Sequence, residues 1–296
     1  MENKISVGII GYGRVGKSLS EAFNSLGILS FILTYSREKT PGIKSKHHET
    51  IKVYHNVNEI EHCPDFIFLT IPDKTIESVS EVVAGHFQDR IENKYICHTS
   101  GINSIDVLSS CEKYGAKTAS VHPYQTFYYP SSSILMDIPW GIYTDYYGEI
   151  SGLIKLIKGK PFNLKELPGY DKALYHASAV AASNYLNSVI TLAGMLAEKA
   201  GISAIDFLPK IIQATVDNNF KSLNDGTCLP LTGPISRGDI NALKLHIESL
   251  KNDKSLLKSY CYEGLSLAES AYKFNLLKQA EYDEIVNLFS DSINIF

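Results

Sequence analysis

The sequence predicts an α/β domain built on a parallel sheet, followed by an all-helical domain. Three observations carry this. The first half alternates short apolar runs with helical patterns, as βαβ units do. After Tyr170 the pattern is helical almost to the end, with no further strand-like alternation. Between the two, Lys158-Gly159-Lys160-Pro161 and Leu167-Pro168-Gly169 are breakers. The boundary therefore falls near residue 165, giving domains 1–164 and 165–296.

Taken in order, the strands are expected at Ile5–Ile10, Ile28–Tyr35, Asp65–Thr70, Lys94–His98 and Lys117–Val121. Arg14–Leu26, Thr75–Phe87 and Ser104–Tyr114 read as the intervening helices. Trp140–Tyr143 adds an edge strand, with a short helix near Gly148–Ile157. The second half holds helices at about 170–199, 203–223, 236–251, 253–274 and 279–292, interrupted by Gly226–Gly238.

At 296 residues and 44% hydrophobic, the chain has the material for a sizeable core. Its 28 Lys and Arg against 32 Asp and Glu leave a net charge of −4, which argues against a nucleic-acid binder. The five cysteines (Cys63, Cys97, Cys111, Cys228, Cys261) are scattered and odd in number. They fit a reducing cytoplasm better than a disulfide framework or a zinc site. The apolar run Ile5–Ile10 is strand length, too short for a signal peptide. Ala177–Ala197 is uncharged and long enough to span a bilayer. Its Ser178, Ser183, Asn184, Asn187, Ser188 and Thr191 instead favour a helix buried in a protein or dimer core, with no membrane span.

Gly11-Tyr12-Gly13-Arg14-Val15-Gly16 matches G-x-G-x-x-G between a predicted strand and a predicted helix, the context that makes it a dinucleotide fingerprint. Gly11 permits the tight turn, Gly13 lets the backbone approach a pyrophosphate, and Gly16 lets the helix pack close. The helix N-terminus offers free N–H groups and partial positive charge to the phosphates. Twenty residues beyond Gly16 stand Ser36 and Arg37, with no acidic residue to hold an NAD ribose. They suit a 2′-phosphate, hence NADP(H), unless Arg37 is simply a solvated loop residue beside Glu38 and Lys39.

Three further strand ends should line the same crevice: Thr70-Ile71-Pro72-Asp73, His98-Thr99-Ser100-Gly101 and His122-Pro123-Tyr124-Gln125-Thr126-Phe127. Ile71 and Pro72 shape the loop beside the nicotinamide, and Thr99, Ser100 and Gly101 offer hydrogen bonds to its ribose or amide. His122 either reaches the crevice or merely ends its strand ahead of Pro123. On the first helix of the second half, Lys172, His176, Val180 and Ser183/Asn184 recur at helical spacing on one stripe. The stripe faces a cleft, or else His176 is a satisfied core histidine and Asn184 a packing contact. In Thr232–Asp239, Ser236 or Asp239 caps a helix, and Arg237 is placed to pair with a substrate carboxylate.

Together these motifs resemble the two-domain family of Rossmann-like proteins with a C-terminal DUF2520 domain, similar in turn to ketopantoate, pyrroline-carboxylate and deazaflavin-dependent NADP reductases. The resemblance rests on Gly11–Gly16, Ser36-Arg37, Thr99–Gly101, His122-Pro123, His176 with Ser183-Asn184, and Leu231–Asp239. It implies an architecture like that of 6-phosphogluconate dehydrogenase, an NADP-linked oxidoreductase, and a homodimer formed through the helical domain. It also implies reduction of a small anionic 2-keto acid, with ketopantoate (2-dehydropantoate) the expected substrate. Ketopantoate reductases carry Lys, then Asn four and eight residues later, on the corresponding helix. Here Asn184 takes the last position, His176 stands at the Lys and Val180 at the middle Asn. A histidine can still donate a proton near pH 7. On this reading His176 is the general acid, Asn184 holds the carbonyl oxygen, Arg237 binds the carboxylate, and His122 or Lys172 is the reserve acid. The alternatives are an imine or prephenate-type oxidoreductase, the latter for its similar His-Pro, and a non-catalytic NADP-binding sensor.

Overall fold

The computed structural model describes residues 5–35, 51–227 and 230–294. By internal contacts the chain divides into two compact units, Met1–Ala181 and Ala182–Phe296.

The first unit is an eight-stranded sheet with helices on both faces. Its strands are β1 (Val7–Ile10), β2 (Leu29–Leu33), β3 (Lys52–Tyr54), β4 (Phe66–Leu69), β5 (Tyr95–His98), β6 (Lys117–Pro123), β7 (Pro139–Tyr143) and β8 (Lys160–Asn163). They are ordered β3-β2-β1-β4-β5-β6-β7-β8. All neighbours are parallel except β6 and β7, which pair antiparallel. The helices are α1 (Arg14–Ser25), α2 (Ile76–Phe87), α3 (Ser109–Glu112), α4 (Tyr147–Leu156) and α5 (Lys172–Val180). Because successive strand side chains point to opposite faces, the four-residue β4 feeds two cores. Phe66 and Phe68 pack on the face shared with Leu19 and Phe23 of α1 and Ile150 and Leu153 of α4. Ile67 and Leu69 pack on the other, with Ile76, Val83 and Phe87 of α2. Burial on both faces explains why these strands are continuously apolar rather than alternating.

Four features differ from the sequence expectation. Lys52–Tyr54 forms a strand beside β2, too short and too polar to stand out. The Lys160 breaker region forms the edge strand β8, so Trp140–Tyr143 lies inside the sheet and not at its edge. The helix expected at Ser104–Tyr114 is a tight turn, Ile105–Leu108, running into the single turn of α3. Finally, α5 packs with the sheet unit, Asp171 capping it by accepting from the Leu174 N–H at 3.0 Å.

The second unit comprises α6 (Leu186–Lys199), α7 (Ala204–Asp225), α8 (Ile240–Leu250), α9 (Lys254–Lys273) and α10 (Gln279–Asn294). Its core joins Leu257, Cys261 and Ala268 of α9 to Ile285 and Phe289 of α10, close because Gly264 leaves room for the Phe289 ring. Asp239 and Asp253 cap α8 and α9, each accepting a backbone N–H at 3.1 Å. The helical run Lys172–Lys199 is long and apolar enough to cross a membrane by length and composition, and its most apolar window is not buried within this single chain. The buried helix expected there is therefore not seen in the chain alone.

Candidate functional site

The glycine loop has the geometry a phosphate cradle needs. Gly11 sits at φ +103°, and a Cβ there would lie 2.5 Å from the Thr70 carbonyl oxygen. A Cβ on Gly16 would collide with the Gly11 carbonyl oxygen, whereas Gly13 faces open space. Thr70, expected from the sequence only to line the crevice, braces the loop: its hydroxyl donates to the Gly11 carbonyl at 2.7 Å. No side chain caps the start of α1 among the described residues, and its first turn holds no acid. It holds Arg14 and Lys17 instead, the former over the Tyr128 ring at 5.9 Å and the latter over Tyr12 at 5.4 Å. Two cations at the positive end of a helix are unfavourable unless an anion joins them. The open cradle and uncapped amides thus fit a dinucleotide pyrophosphate. Ser36 and Arg37 lie outside the described residues.

The loops after β4 and β5 are tied together. The Asn103 side-chain amide donates to the Asp73 carbonyl at 2.8 Å. Ser100 is buried and its hydroxyl accepts the N–H groups of Ile102 and Asn103 at 3.2 and 3.0 Å, so it first shapes its own turn. Pro72 opens the short turn Asp73–Thr75. Ile71 packs its Cγ2 where a Cβ of Gly11 would be, and the Thr99 N–H continues the sheet to Leu69.

At the ends of β5 and β6 four basic side chains cluster. Lys172, first residue of α5, donates through Nζ to the buried Ser120 hydroxyl on β6. Burial lowers its pKa to about 8, against the opposing pull of the Asp73 carboxylate. His98 is fully buried, its Nδ1 accepting the Ser100 N–H at 3.2 Å. Its pKa falls to about 3, by burial first and then the Lys172 charge. His122 hydrogen-bonds through Nδ1 to the Tyr175 hydroxyl at 2.9 Å, and burial, Lys172 and His176 bring its pKa to about 4. The His122 and His176 rings stand 6.3 Å apart. Both abut Gly101, where a Cβ would lie 2.6 Å from His176 and 2.8 Å from His122. Tyr124 packs against Tyr175, the rings tilted by 51° with centroids 5.0 Å apart, and bonds its hydroxyl to the Ser178 hydroxyl at 2.6 Å.

The structure thus gathers Lys172, His176 and His122 at one place, together with the glycine-loop side of the sheet. His98, at a strand end the sequence pattern already placed in the crevice, joins them. Ser120 and Tyr175 carry no motif signal: one is brought in by strand register, the other by the pitch of α5. Asn184 and Arg237 belong to the second unit. Asn184 is exposed in a π-turn, Ala181–Tyr185, and accepts from the Ser183 hydroxyl at 2.8 Å. That turn adds a residue to the helical repeat, so the single stripe expected from Lys172 to Asn184 is interrupted after Val180. Arg237 is exposed at the end of the turn Ile235–Arg237, just before Asp239 caps α8.

Sheet order, glycine loop and strand-end crevice define a Rossmann-like domain joined to helices. Residues 1–123 match the Rossmann-like domain family, and residues 144–267 match the family described as domain of unknown function DUF2520. The chain thus carries a Rossmann-like domain followed by a DUF2520 domain, the two matches together spanning most of its length. No curated protein matches it significantly. Among solved structures it is similar to a Bacteroides fragilis protein provisionally described as an NADP oxidoreductase, at 18% identity and TM-score 0.67, covering 90% of this chain and 97% of that one. A Streptomyces aurantiacus imine reductase is similar at 14% identity and TM-score 0.60, with 96% and 99% covered. An Aspergillus terreus reductive aminase, in complex with NADPH and ethyl-5-oxohexanoate, is similar at 12% identity and TM-score 0.60, with 99% and 95% covered.

Proposed function

We propose that the protein is an NADP(H)-dependent reductase of small carbonyl compounds, with the 2-keto acid ketopantoate, reduced to pantoate, as its substrate. The carrying observation is Lys172, a half-buried ammonium beside the strand-end histidines His98 and His122, with a pKa brought down to about 8. Such a group holds a proton at neutral pH and gives it up readily. The cradle of Gly11, Gly13 and Gly16, with Arg14, would hold the pyrophosphate, and Ser36 and Arg37 the 2′-phosphate. Bound NADPH supplies the hydride for the carbonyl carbon. Lys172 protonates the alkoxide that develops and is itself reprotonated from solvent. Its proximity to the strand ends moves it ahead of His176, which flanks the substrate. Asn184 and Arg237 serve the carbonyl and the carboxylate. The charge of Lys172 favours an anionic substrate over a protonated imine.

The exposed apolar residues Leu186, Val189 and Met195 of α6 and Ile205, Ile211 and Leu223 of α7 support a homodimer formed through the helical unit. A cytoplasmic location accords with the unpaired cysteines.

The test is loss of NADPH absorbance with ketopantoate, other 2-keto acids and cyclic imines, together with rescue of a pantoate auxotroph. Turnover of imines but not keto acids would replace the substrate assignment, a reading favoured by the names of the similar imine reductase and reductive aminase. Tight NADPH binding with no turnover of any of them would favour a sensor.

A further inference from the structure

We propose that Tyr175 fixes the tautomer of His122, so that a neutral imidazole keeps its proton on Nε2, beside Gly101, and offers it to an oxygen acceptor of the substrate. This rests on the carbonyl-reductase reading above and sharpens its substrate class.

The antiparallel register sets the geometry. His122 on β6 lies directly opposite Gly141 on β7, so the two positions share a face of the sheet. Gly141 leaves that face empty, and the Tyr175 hydroxyl occupies it: a Cβ on Gly141 would collide with the phenol oxygen. From that seat the hydroxyl reaches His122 Nδ1 at 2.9 Å, its one hydrogen-bond partner among the described residues. Burial holds the phenol proton on and keeps the imidazole uncharged at neutral pH. Two neutral groups can then bond in two ways. With the ring proton on Nδ1, the phenol oxygen would accept and its own proton would have no acceptor among the described residues. With Tyr175 donating, the better donor meets the better acceptor, and the ring proton sits on Nε2, the position left for a ligand.

Nε2 has no protein partner among the described residues, and it lies 2.8 Å from the point where a Cβ of Gly101 would stand. His176 Cδ2 flanks the same point at 2.6 Å. The missing side chain of Gly101 therefore lets the two imidazoles close over the backbone, with the Nε2–H left without a protein acceptor among the described residues and the Lys172 charge acting on the ring. A keto or carboxylate oxygen accepts such a bond. A protonated imine offers only an N–H, which meets a donor and a like charge. Tyr175 is thus a positioning residue for a carbonyl-polarising His122.

Nitrogen NMR of the full-length protein, 15N-labelled at histidine, at pH 7 and without ligand, tests this. The His122 signals are assigned by their loss in His122→Asn. The expected result is a pyrrole-type Nε2 and a pyridine-type Nδ1, and a mixture of tautomers in Tyr175→Phe. A protonated Nδ1 in the wild type, a doubly protonated ring, or an unmoved tautomer in Tyr175→Phe would overturn the assignment. With ketopantoate and NADPH, Tyr175→Phe should lower kcat about tenfold and leave the Kd for NADPH unchanged. An unchanged kcat would overturn the role. Wild-type protein showing the Nε2–H tautomer but no carbonyl turnover would instead sink the carbonyl-reductase reading, leaving the tautomer assignment intact.

Discussion

Lys172 Nζ donates to the Ser120 hydroxyl, so the first residue of α5 is bonded into the interior of β6. An ammonium held there is partly shielded from water, and burial takes its pKa from 10.5 to about 8. Turnover that needs the protonated amine should be constant below pH 8 and fall as the pH rises through it. Lys172→Met should lose at least 100-fold in kcat, and Lys172→Arg should move the falling limb beyond pH 10. A pH–rate profile with no limb near 8 would exclude Lys172 as the acid.

The same residue should trade stability for function. Its folded pKa lies below its unfolded value, so the folded state releases the proton first. Stability therefore rises with pH between about 8 and 10.5, and the cost of burying the charge is fully present below 8. That cost is on the order of 3 kcal/mol. Lys172→Met should accordingly raise the denaturant midpoint at pH 7 while removing activity. An inactive variant that is also destabilised would contradict this.

Gly13 and Gly16 should respond differently to the same methyl group. Gly13 has a φ of −75° and faces open space, so Gly13→Ala should fold normally and lose NADPH affinity, measured by calorimetry. Gly16→Ala drives a Cβ into the Gly11 carbonyl and should lower the thermal midpoint as well. Equal stability for the two variants would show that the loop relaxes.

Thr70→Val removes the hydroxyl that braces the Gly11 carbonyl while keeping the side chain's shape. A loss of about 1 kcal/mol in urea unfolding is expected, with weaker NADPH binding. Affinity unchanged by Thr70→Val would mean that the loop holds its shape unaided.

Arg37→Ala should reduce the preference for NADPH over NADH by tenfold or more on the proposed role of Arg37, because a forked guanidinium suits a 2′-phosphate. The ratio of Kd values for the two cofactors is the measurement, and an unchanged ratio would assign the discrimination to other residues.

Much of this is legible in the sequence, for identifiable reasons. Strand runs such as Phe66–Leu69 announce themselves because both faces are buried, and the glycine pattern because each missing side chain answers a steric need at one loop. Lys172, His122 and His176 could be named because strand ends and one helix face converge by rule. What stayed hidden depends on pairing between distant segments. The placing of His122 opposite Gly141 needs the reversed strand β7, and nothing in Trp140-Gly141-Ile142 declares its direction. Tyr175 reaches the site only because α5 crosses that pair. The π-turn at Ala181–Tyr185 is also silent in the sequence, since its residues are ordinary helix formers or polar neighbours.

Gly101 and Gly141 give the crevice its outline by what they lack. One lets two imidazoles close over the backbone, and the other leaves a seat for a phenol. Rings seated by omission have no side chain beneath them that can be trimmed to move them. Every single substitution at either glycine pushes its rings outward, so variation at these two positions can disturb the site but not enlarge it. Broader tolerance would have to come from the bulky wall opposite, at Tyr124, His176 and Tyr175.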